Sequence, residues 1–405
     1  MKTFFSLTIT TTSLIAGICS ILVFGFRQHI FEFALSFPST SGLLQRVNIV
    51  NTTTTTTSTT RQEADTTAII TNPEGEDNIS TPEQPTTITL NFTTAATKMS
   101  KFIPRAIRKA LLAVEQSEGA GARVRRSIGT PALRSLTPFL MLDHFSVSPG
   151  AGFPDHPHRG QETITYLLTG GMDHEDFAGN RGTLNPGDLQ FMTAGRGIMH
   201  AEMPRQNPDG SANVGLQLWV DLPRELKYCE PRYRDLRAAE IPVVKSADGK
   251  VTVKVISGEF NGVESVKDLA YTPVVFYDVE ISPGGKLEQK LPEGFSAFAY
   301  TLEGEVVFGE GKEDQGGEKV GQFHNVVFGD EGEGITARVD DGAQKAARFV
   351  LIGGKRLDQP VVQYGPFVVN SQDEVYQTFV DYQSHSNGFE RAKGWKSEIG
   401  KTMVH

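Results

Sequence analysis

From residue 99 onward, short apolar or alternating runs are separated by turns rich in glycine, proline, asparagine and aspartate. Short runs bounded by turn-forming residues predict β-strands. The clearest predicted strands are 163–168, 188–192, 214–220, 251–256 and 274–281. Many short strands at regular spacing indicate an all-β sandwich or barrel.

A weak internal repeat indicates two such barrels in tandem. Tyr166-Leu-Leu-Thr-Gly170 resembles Tyr300-Thr-Leu-Glu-Gly304, an offset of 134 residues that suits a small barrel. We therefore expect one barrel over residues 99–230, a second over 231–390, and a tail over 391–405. A helix is predicted at 373–382 with Ser371 as its cap, and we expect the end of the chain to pack across the first half.

The first 98 residues have a different composition. Residues 3–26 are uncharged and largely apolar, which fits a signal peptide or membrane anchor, and the polar, threonine-rich stretch that follows predicts a disordered linker. Asn51, Asn78 and Asn91 begin glycosylation-type sequons. Met99 stands where the composition changes, so residues 1–98 are either a targeting segment or an upstream extension of the gene model. A chain that starts at Met99 is expected to be a soluble, intracellular two-domain protein.

Charge and cysteine content limit the range of partners. The net charge is −9 and no pronounced basic block occurs, so direct nucleic-acid binding through phosphate contacts is not expected. The two cysteines, Cys19 and Cys229, lie far apart and do not indicate a disulfide framework.

Candidate chemistry is concentrated in two motifs. His156 and His158 are separated by one residue, as are His200 and Glu202, so each pair shares one face of a β-strand. Two such pairs facing inward supply three imidazoles and one carboxylate. This set suits non-haem Fe(II), and Mn, Ni, Cu or Zn also fit it.

Other residues near these motifs have competing interpretations. Glu162 follows His158 by an even offset and competes with Glu202 as the carboxylate ligand, provided that the strand has no bulge. His144 lies in an apolar run and is interpreted as a hydrogen-bonded packing residue, whereas His174 follows two glycines and is interpreted as an exposed loop tip. Arg159 is expected on the opposite strand face from His158, as a surface or fold-stabilising residue.

The offset of 134 residues maps the motif onto Lys290, Pro292, Gly334 and Thr336, none of which continues the ligand pattern. The only histidine near the centre of the second half, His324, has no partner pair. The second half is therefore expected to keep the barrel and lack the site.

Several ordered motifs resemble the pirin family over roughly residues 105–390. The motifs are 115–129, 138–143, 152–160 (Gly-Phe-Pro-Asp-His-Pro-His-Arg-Gly), 185–188 (Asn-Pro-Gly-Asp), 192–197 (Met-Thr-Ala-Gly-Arg-Gly), 200–204 (His-Ala-Glu-Met-Pro) and 364–367 (Tyr-Gly-Pro-Phe). The resemblance implies a bicupin, two cupin-type β-barrels, with iron only in the first. It also implies His156, His158, His200 and Glu202 as iron ligands, which favours Glu202 over Glu162.

The resemblance also implies two functions. Pirins are similar to quercetin 2,3-dioxygenases, so we expect a metal-dependent dioxygenase acting on flavonol-like substrates at an open metal position. Glu202 would be a ligand and proton acceptor, and Glu162 a substrate base or a support for the ligands. The alternative is an iron-dependent, redox-sensing cofactor of a transcription factor, without turnover.

Overall fold

The computed structural model describes residues 102–148, 150–309 and 317–402. The predictions for residues 1–98, including the apolar segment, the linker and the sequons, lie outside the described residues. No helix in the described part is both long and apolar enough to cross a membrane.

Strands dominate this part of the chain. The first twelve are β1 (Ile107–Leu112), β2 (Glu115–Glu118), β3 (Ala122–Ile128), β4 (Phe139–Val147), β5 (Phe153–His158), β6 (Gln161–Thr169), β7 (Met172–Asp176), β8 (Arg181–Leu184), β9 (Leu189–Thr193), β10 (Ile198–Pro204), β11 (Asn213–Asp221) and β12 (Arg232–Leu236). The remaining strands are β13 (Val243–Lys245), β14 (Val251–Ser257), β15 (Glu259–Phe260), β16 (Val263–Glu264), β17 (Val274–Ile281), β18 (Lys286–Lys290), β19 (Phe295–Glu303), β20 (Val306–Phe308), β21 (Glu318–Val320), β22 (His324–Phe328), β23 (Gly334–Arg338), β24 (Ala347–Lys355), β25 (Val362–Tyr364) and β26 (Phe367–Val369). The five strands predicted from the sequence correspond to β6, β9, β11, β14 and β17.

The strands form two barrels with the same sheet order, which confirms the all-β, cupin-like two-domain prediction. The first barrel combines the sheet β12-β9-β6-β11-β4-β3-β2 with the sheet β5-β10-β7-β8. The second barrel combines β1-β22-β19-β24-β17-β14-β13 with β18-β23-β20-β21. Tyr166 on β6 and Tyr300 on β19 occupy the same place in the two sheet orders, so the short repeat in the sequence marks a real structural repeat.

Two strands cross the predicted boundary at residues 230/231. β1 precedes every strand of the first barrel but pairs with β22 of the second, where Leu112 lies opposite His324. β12 follows that boundary but pairs with β9 of the first barrel. Each half of the chain therefore contributes one edge strand to the barrel of the other half: β1 pairs in the second barrel and β12 pairs in the first.

The two seven-stranded sheets pack face to face through a shared apolar core. Phe139 of the first sheet meets Phe298 of the second edge to face, with ring centroids 5.1 Å apart. The Tyr166 hydroxyl donates to Asp278 across the interface at 2.7 Å, and Arg348 pairs with the same carboxylate at 2.7 Å. The interface therefore has an apolar centre and a buried polar connection between the barrels.

The single α-helix of the described residues, α1 (Gln372–Ser384), confirms the predicted helix. The Ser371 hydroxyl accepts from the Glu374 backbone N–H, which confirms the predicted cap, and the helix ends at His385 in the left-handed conformation. The described residues also contain four short 3-10 helices, at Arg224–Leu226, Ala238–Glu240, Glu390–Ala392 and Ile399–Thr402.

Residues 372–402, called here the C-terminal tail, pack on the first barrel. Phe389 and Ala392 of the tail cluster with Met199 on β10 and with Phe367. The backbone N–H and hydroxyl of Ser397 both donate to Asp155 on β5. The tail thus covers the outer face of the sheet β5-β10-β7-β8, which confirms the expected packing across the first half.

Candidate metal centre

Three histidines converge inside the first barrel. β5 and β10 are antiparallel neighbours, and His200 lies directly opposite His156. One ring nitrogen from each of His156, His158 and His200 lies within 4.8 Å of the others. This is the one group of three or more His, Cys, Asp or Glu residues among the described residues that is arranged to hold a metal ion. The alternation of side chains along the two strands therefore brings the predicted imidazoles together.

The hydrogen bonds of the rings indicate which nitrogens are free for a metal. His156 Nδ1 lies 2.8 Å from the Pro154 carbonyl oxygen, which only accepts, so Nδ1 carries the proton and Nε2 has a free lone pair. Both nitrogens of His200 are buried and have no hydrogen-bond partner. A buried polar atom without a partner is costly, and a metal ion is a partner that removes this cost. The histidines therefore fit a metal.

Burial also favours the protonation state that binds metals. His158 and His200 are each only 1% exposed. Burial lowers the pKa of both imidazoles well below the usual value, and repulsion from His156 lowers each of them further. Neutral imidazole is the metal-binding form, so no proton has to be displaced from these rings at neutral pH.

Glu202 lies two residues beyond His200 on β10 and is buried. Its Oε1 accepts from the Thr165 hydroxyl at 3.1 Å and its Oε2 accepts from the Gln217 side-chain amide at 3.0 Å. The carboxylate is therefore held by two polar side chains and is not part of the group within 4.8 Å. Its role as the fourth ligand stays a prediction.

Glu162 lies beyond the end of β5, so the condition on its even spacing from His158, an uninterrupted strand, is not met. β5 ends at His158, and the chain turns at Gly160 with a φ of 75° before β6 begins. The Glu162 carboxylate accepts from the Thr193 hydroxyl and from the backbone N–H groups of Tyr271 and Thr272. It thus anchors the segment between the barrels. Its predicted role as a base stays a prediction, against which these three hydrogen bonds argue.

Of the predictions for the two other histidines of this region, one is confirmed and one is wrong. His144 on β4 lies 3.2 Å from the Tyr300 hydroxyl, which confirms the interpretation as a hydrogen-bonded packing residue. The interpretation of His174 as an exposed loop tip is wrong. His174 is buried on β7, stacks on Tyr233, and lies 3.5 Å from the Asp235 carboxylate.

Arg159 has a fold-stabilising role and is not on the surface. Its side chain is 0% exposed and is 2.8 Å from the Asp381 carboxylate of the C-terminal tail. It also donates to the carbonyl oxygens of Arg196 at 2.6 Å and Asn387 at 2.5 Å. The residue that follows His158 therefore fixes the tail to the sheet that carries the three histidines.

Three residues that line the site were not anticipated. Gln161 contacts His158 Nδ1, Gln217 contacts Glu202, and Trp219 lies edge to face against His158 with centroids 5.1 Å apart. On β11, Gln217 and Trp219 are half-buried, whereas Leu216 and Leu218 on the opposite face are buried. His156 is also half-buried, so one side of the cluster is accessible from solvent.

The second barrel has different residues at the corresponding strands. On the paired strands β18 and β23, Gln289 lies opposite Ile335 and Leu287 lies opposite Ala337, and all four are buried. A cavity of about 910 Å³ lies at this barrel, beside the β15-β16 hairpin and the end of β18, and no histidine or cysteine lines it. The candidate chemistry is therefore at the histidines of the first barrel and not in this cavity.

Family models and similar proteins of known sequence agree on one family. Residues 121–220 match the family model described as pirin, and residues 276–388 match the pirin C-terminal cupin domain. The chain is 50% identical over 291 residues to pirin from Homo sapiens, which covers 72% of this chain and 96% of that protein. It is 48% identical over 295 residues to a pirin-like protein from Solanum lycopersicum, covering 73% of this chain and 97% of the relative.

A solved structure extends the comparison to an enzyme. The quercetin 2,3-dioxygenase from Acinetobacter baumannii superposes with a TM-score of 0.62 and 27% identity, covering 70% of this chain and 98% of that chain. Its fold likeness spans both barrels, and the human relative shares half of its residues with this chain over nearly its whole length. The chain therefore belongs to the pirin family.

Proposed function

We propose that this chain is a metal-dependent dioxygenase that cleaves flavonol-like substrates in the manner of a quercetin 2,3-dioxygenase. The observation that carries the proposal is His200, a buried imidazole without a protein partner beside two other converging imidazoles. Similarity to the quercetin 2,3-dioxygenase of Acinetobacter baumannii supports the substrate class.

Fe(II) is the metal we propose, with Mn, Ni, Cu or Zn as competitors, because imidazole and carboxylate ligands suit all of them. A redox-capable metal, when bound, would supply electron transfer between an enol substrate and O₂. The protein would hold it through His156, His158 and His200, with Glu202 as the fourth ligand.

The remaining chemistry belongs to the side chains. A flavonol must lose its enol proton before it is oxidised, and the Glu202 carboxylate is the acidic group beside the cluster that can accept that proton. Thr165 and Gln217 hold the two oxygens of Glu202, so the carboxylate is oriented before substrate arrives. Half-buried Trp219 provides an aromatic surface beside His158 on the accessible side.

Oxygen uptake tests this function directly. The protein is loaded anaerobically with Fe(II), mixed with quercetin and O₂, and compared with the double variant His156→Ala, His158→Ala. We expect turnover in the parent and none in the variant. The control is His324→Ala, which removes a half-buried histidine of the second barrel and should leave turnover unchanged.

The same experiment distinguishes the dioxygenase from the alternative function, a redox-sensing cofactor. Iron bound stoichiometrically without oxygen uptake would contradict the dioxygenase and favour a redox-sensing cofactor of a transcription factor. A change of one charge at a buried metal alters the field on nearby loops, which is the physical basis for such a switch. Its test is partner affinity measured in the Fe(II) and Fe(III) states.

A further inference from the structure

We propose that Gln161 is a positioning residue that sets the tautomer of His158 and so makes His158 Nε2 the metal-binding atom. This inference rests on the proposed metal site. It concerns a residue that no sequence pattern singled out, since Gln161 is a single glutamine between the histidine motif and the apolar part of β6.

The geometry around Gln161 isolates one interaction. Gln161 is 0% exposed at the start of β6, and its amide nitrogen Nε2 lies 2.7 Å from His158 Nδ1, so this orientation must turn over before the ring can bind a metal through Nε2. The oxygen of the same carboxamide, Oε1, is buried and has no hydrogen-bond partner. Because the nitrogen and oxygen of a glutamine amide occupy similar volumes, the group can present either atom to the ring by a half-turn.

The two amide orientations have opposite consequences for metal binding. When the amide nitrogen faces His158, it donates to Nδ1, and the neutral ring carries its proton on Nε2, where it blocks a metal. When Oε1 faces His158, it accepts from Nδ1–H and Nε2 has a free lone pair. The ring proton moves from Nε2 to Nδ1 between these states, and the imidazole is neutral in both.

His156 provides the internal comparison. Its Nδ1 is fixed by a backbone carbonyl, which no side-chain substitution removes. His158 depends on a side chain instead, and outer hydrogen bonds of this kind usually fix the orientation and tautomer of ligating histidines. Gln161 is therefore the replaceable part of the hydrogen bonding that orients these two ligands.

Two substitutions separate tautomer control from a structural role. Gln161→Met has a similar length and no hydrogen bond, and we expect Co(II) affinity to fall by about 10- to 100-fold. Gln161→Glu supplies an oxygen that accepts from Nδ1–H, and we expect Co(II) affinity at least equal to the parent despite some loss of stability. Affinity is measured by calorimetry and the coordination by the visible Co(II) spectrum. If both variants lose affinity equally, Gln161 is only structural and the inference is wrong.

A matched control is present in the second barrel. Gln289 lies on β18 of the other barrel, is also buried, and donates to the Lys290 carbonyl oxygen at 2.7 Å. Gln289→Met should lower the stability and leave Co(II) affinity unchanged. An equal loss of affinity in this control would show that general destabilisation explains the Gln161→Met result.

The tautomer is measured in the parent protein without any substitution. Nitrogen-15 NMR of the Zn(II)-loaded full chain should show His158 protonated at Nδ1. Protonation at Nε2 would overturn the inference even if both variants failed to fold. A parent that binds neither Co(II) nor Zn(II) would instead contradict the proposed metal site, so the two failures are distinguishable.

Discussion

The two barrels share a sheet order but fill their interiors with different chemistry. Inside the second barrel, aromatic and aliphatic side chains pack closely, and Phe308 meets Phe349 with ring centroids 5.1 Å apart. Inside the first barrel, the apolar cluster is smaller and three histidines occupy the adjoining space. The same barrel fold can therefore enclose either a packed apolar core or a polar site, and a few inward-facing side chains decide which.

The barrels also differ in how their smaller sheets are supported. In the second barrel, the sheet β18-β23-β20-β21 faces that apolar interior. In the first barrel, the sheet β5-β10-β7-β8 carries the three histidines inside and is covered outside by the C-terminal tail. We infer that the first barrel gains from the tail part of the stability that its interior lacks.

The largest loss of stability is expected from removing the ion pair between Arg159 and Asp381, which joins the C-terminal tail to the first barrel. Arg159→Leu leaves Asp381 buried without its charged partner, so we expect a loss of about 3–5 kcal/mol of unfolding free energy. Hydrogen exchange should increase in β5, β10 and α1 and stay unchanged in β17 and β24. The control Arg234→Leu removes an exposed arginine of β12 and should cost little. Uniform acceleration of exchange in both barrels would contradict local support by the tail.

A core deletion in the second barrel should give the opposite pattern. Phe349→Ala removes a buried ring from its interior, and we expect a loss of about 3–5 kcal/mol with no change in metal affinity. Denaturant unfolding and metal titration measure the two quantities. Phe295→Ala, at a half-buried position on β19, should cost less. A metal affinity that falls together with stability would show that the barrels do not act separately.

The junction between the barrels should respond to acid. Burial and the nearby Arg125 charge lower the pKa of His144 to about 4, below the usual value near 6.5. The unfolded chain therefore binds this proton more readily, so the stability is complete above about pH 6.5 and is lost as the pH falls towards 4. The contribution is at most about 3 kcal/mol. His144→Gln should flatten the fall between pH 7 and 4; an unchanged slope would exclude His144 as its source.

The smallest expected change is a gain in stability, on replacement of His200. His200→Leu removes two buried nitrogens that have no partner, so the metal-free protein should gain about 1–3 kcal/mol while metal binding is lost. Thermal unfolding without metal and a metal titration check the two results. His324→Leu, in a half-buried site of the second barrel, should give no such gain. A destabilised His200→Leu protein would mean that His200 contributes to packing as well as to the site.

The sequence predicts the regular features of this molecule well. The predicted strands appear because apolar runs and turn residues are local signals, and His156, His158 and His200 meet because strand alternation is local too. His174 was misjudged because Gly170 and Gly171 suggested a loop. The alternation of Met172, His174 and Asp176, all buried, is the pattern that indicates a strand there.

Other features have no local signal. Glu162 was misplaced because one glycine turn, at Gly160, breaks the even spacing from His158. Gln161 is a single glutamine, and its importance depends on its distance to one ring nitrogen. The pairing of β1 with β22 joins segments that are distant in the chain, so neither segment alone predicts it.

The pairing of β1 with β22 and the position of the C-terminal tail also determine when each barrel can be completed during synthesis. β1 leaves the ribosome before any strand of the first barrel, yet it cannot pair until β22 has been made. The three histidines on β5 and β10 are made early, but the Met199 side of β10 stays uncovered until the C-terminal tail emerges. Assembly of the sheet that carries the three histidines therefore finishes only after all the strands of both barrels have been translated.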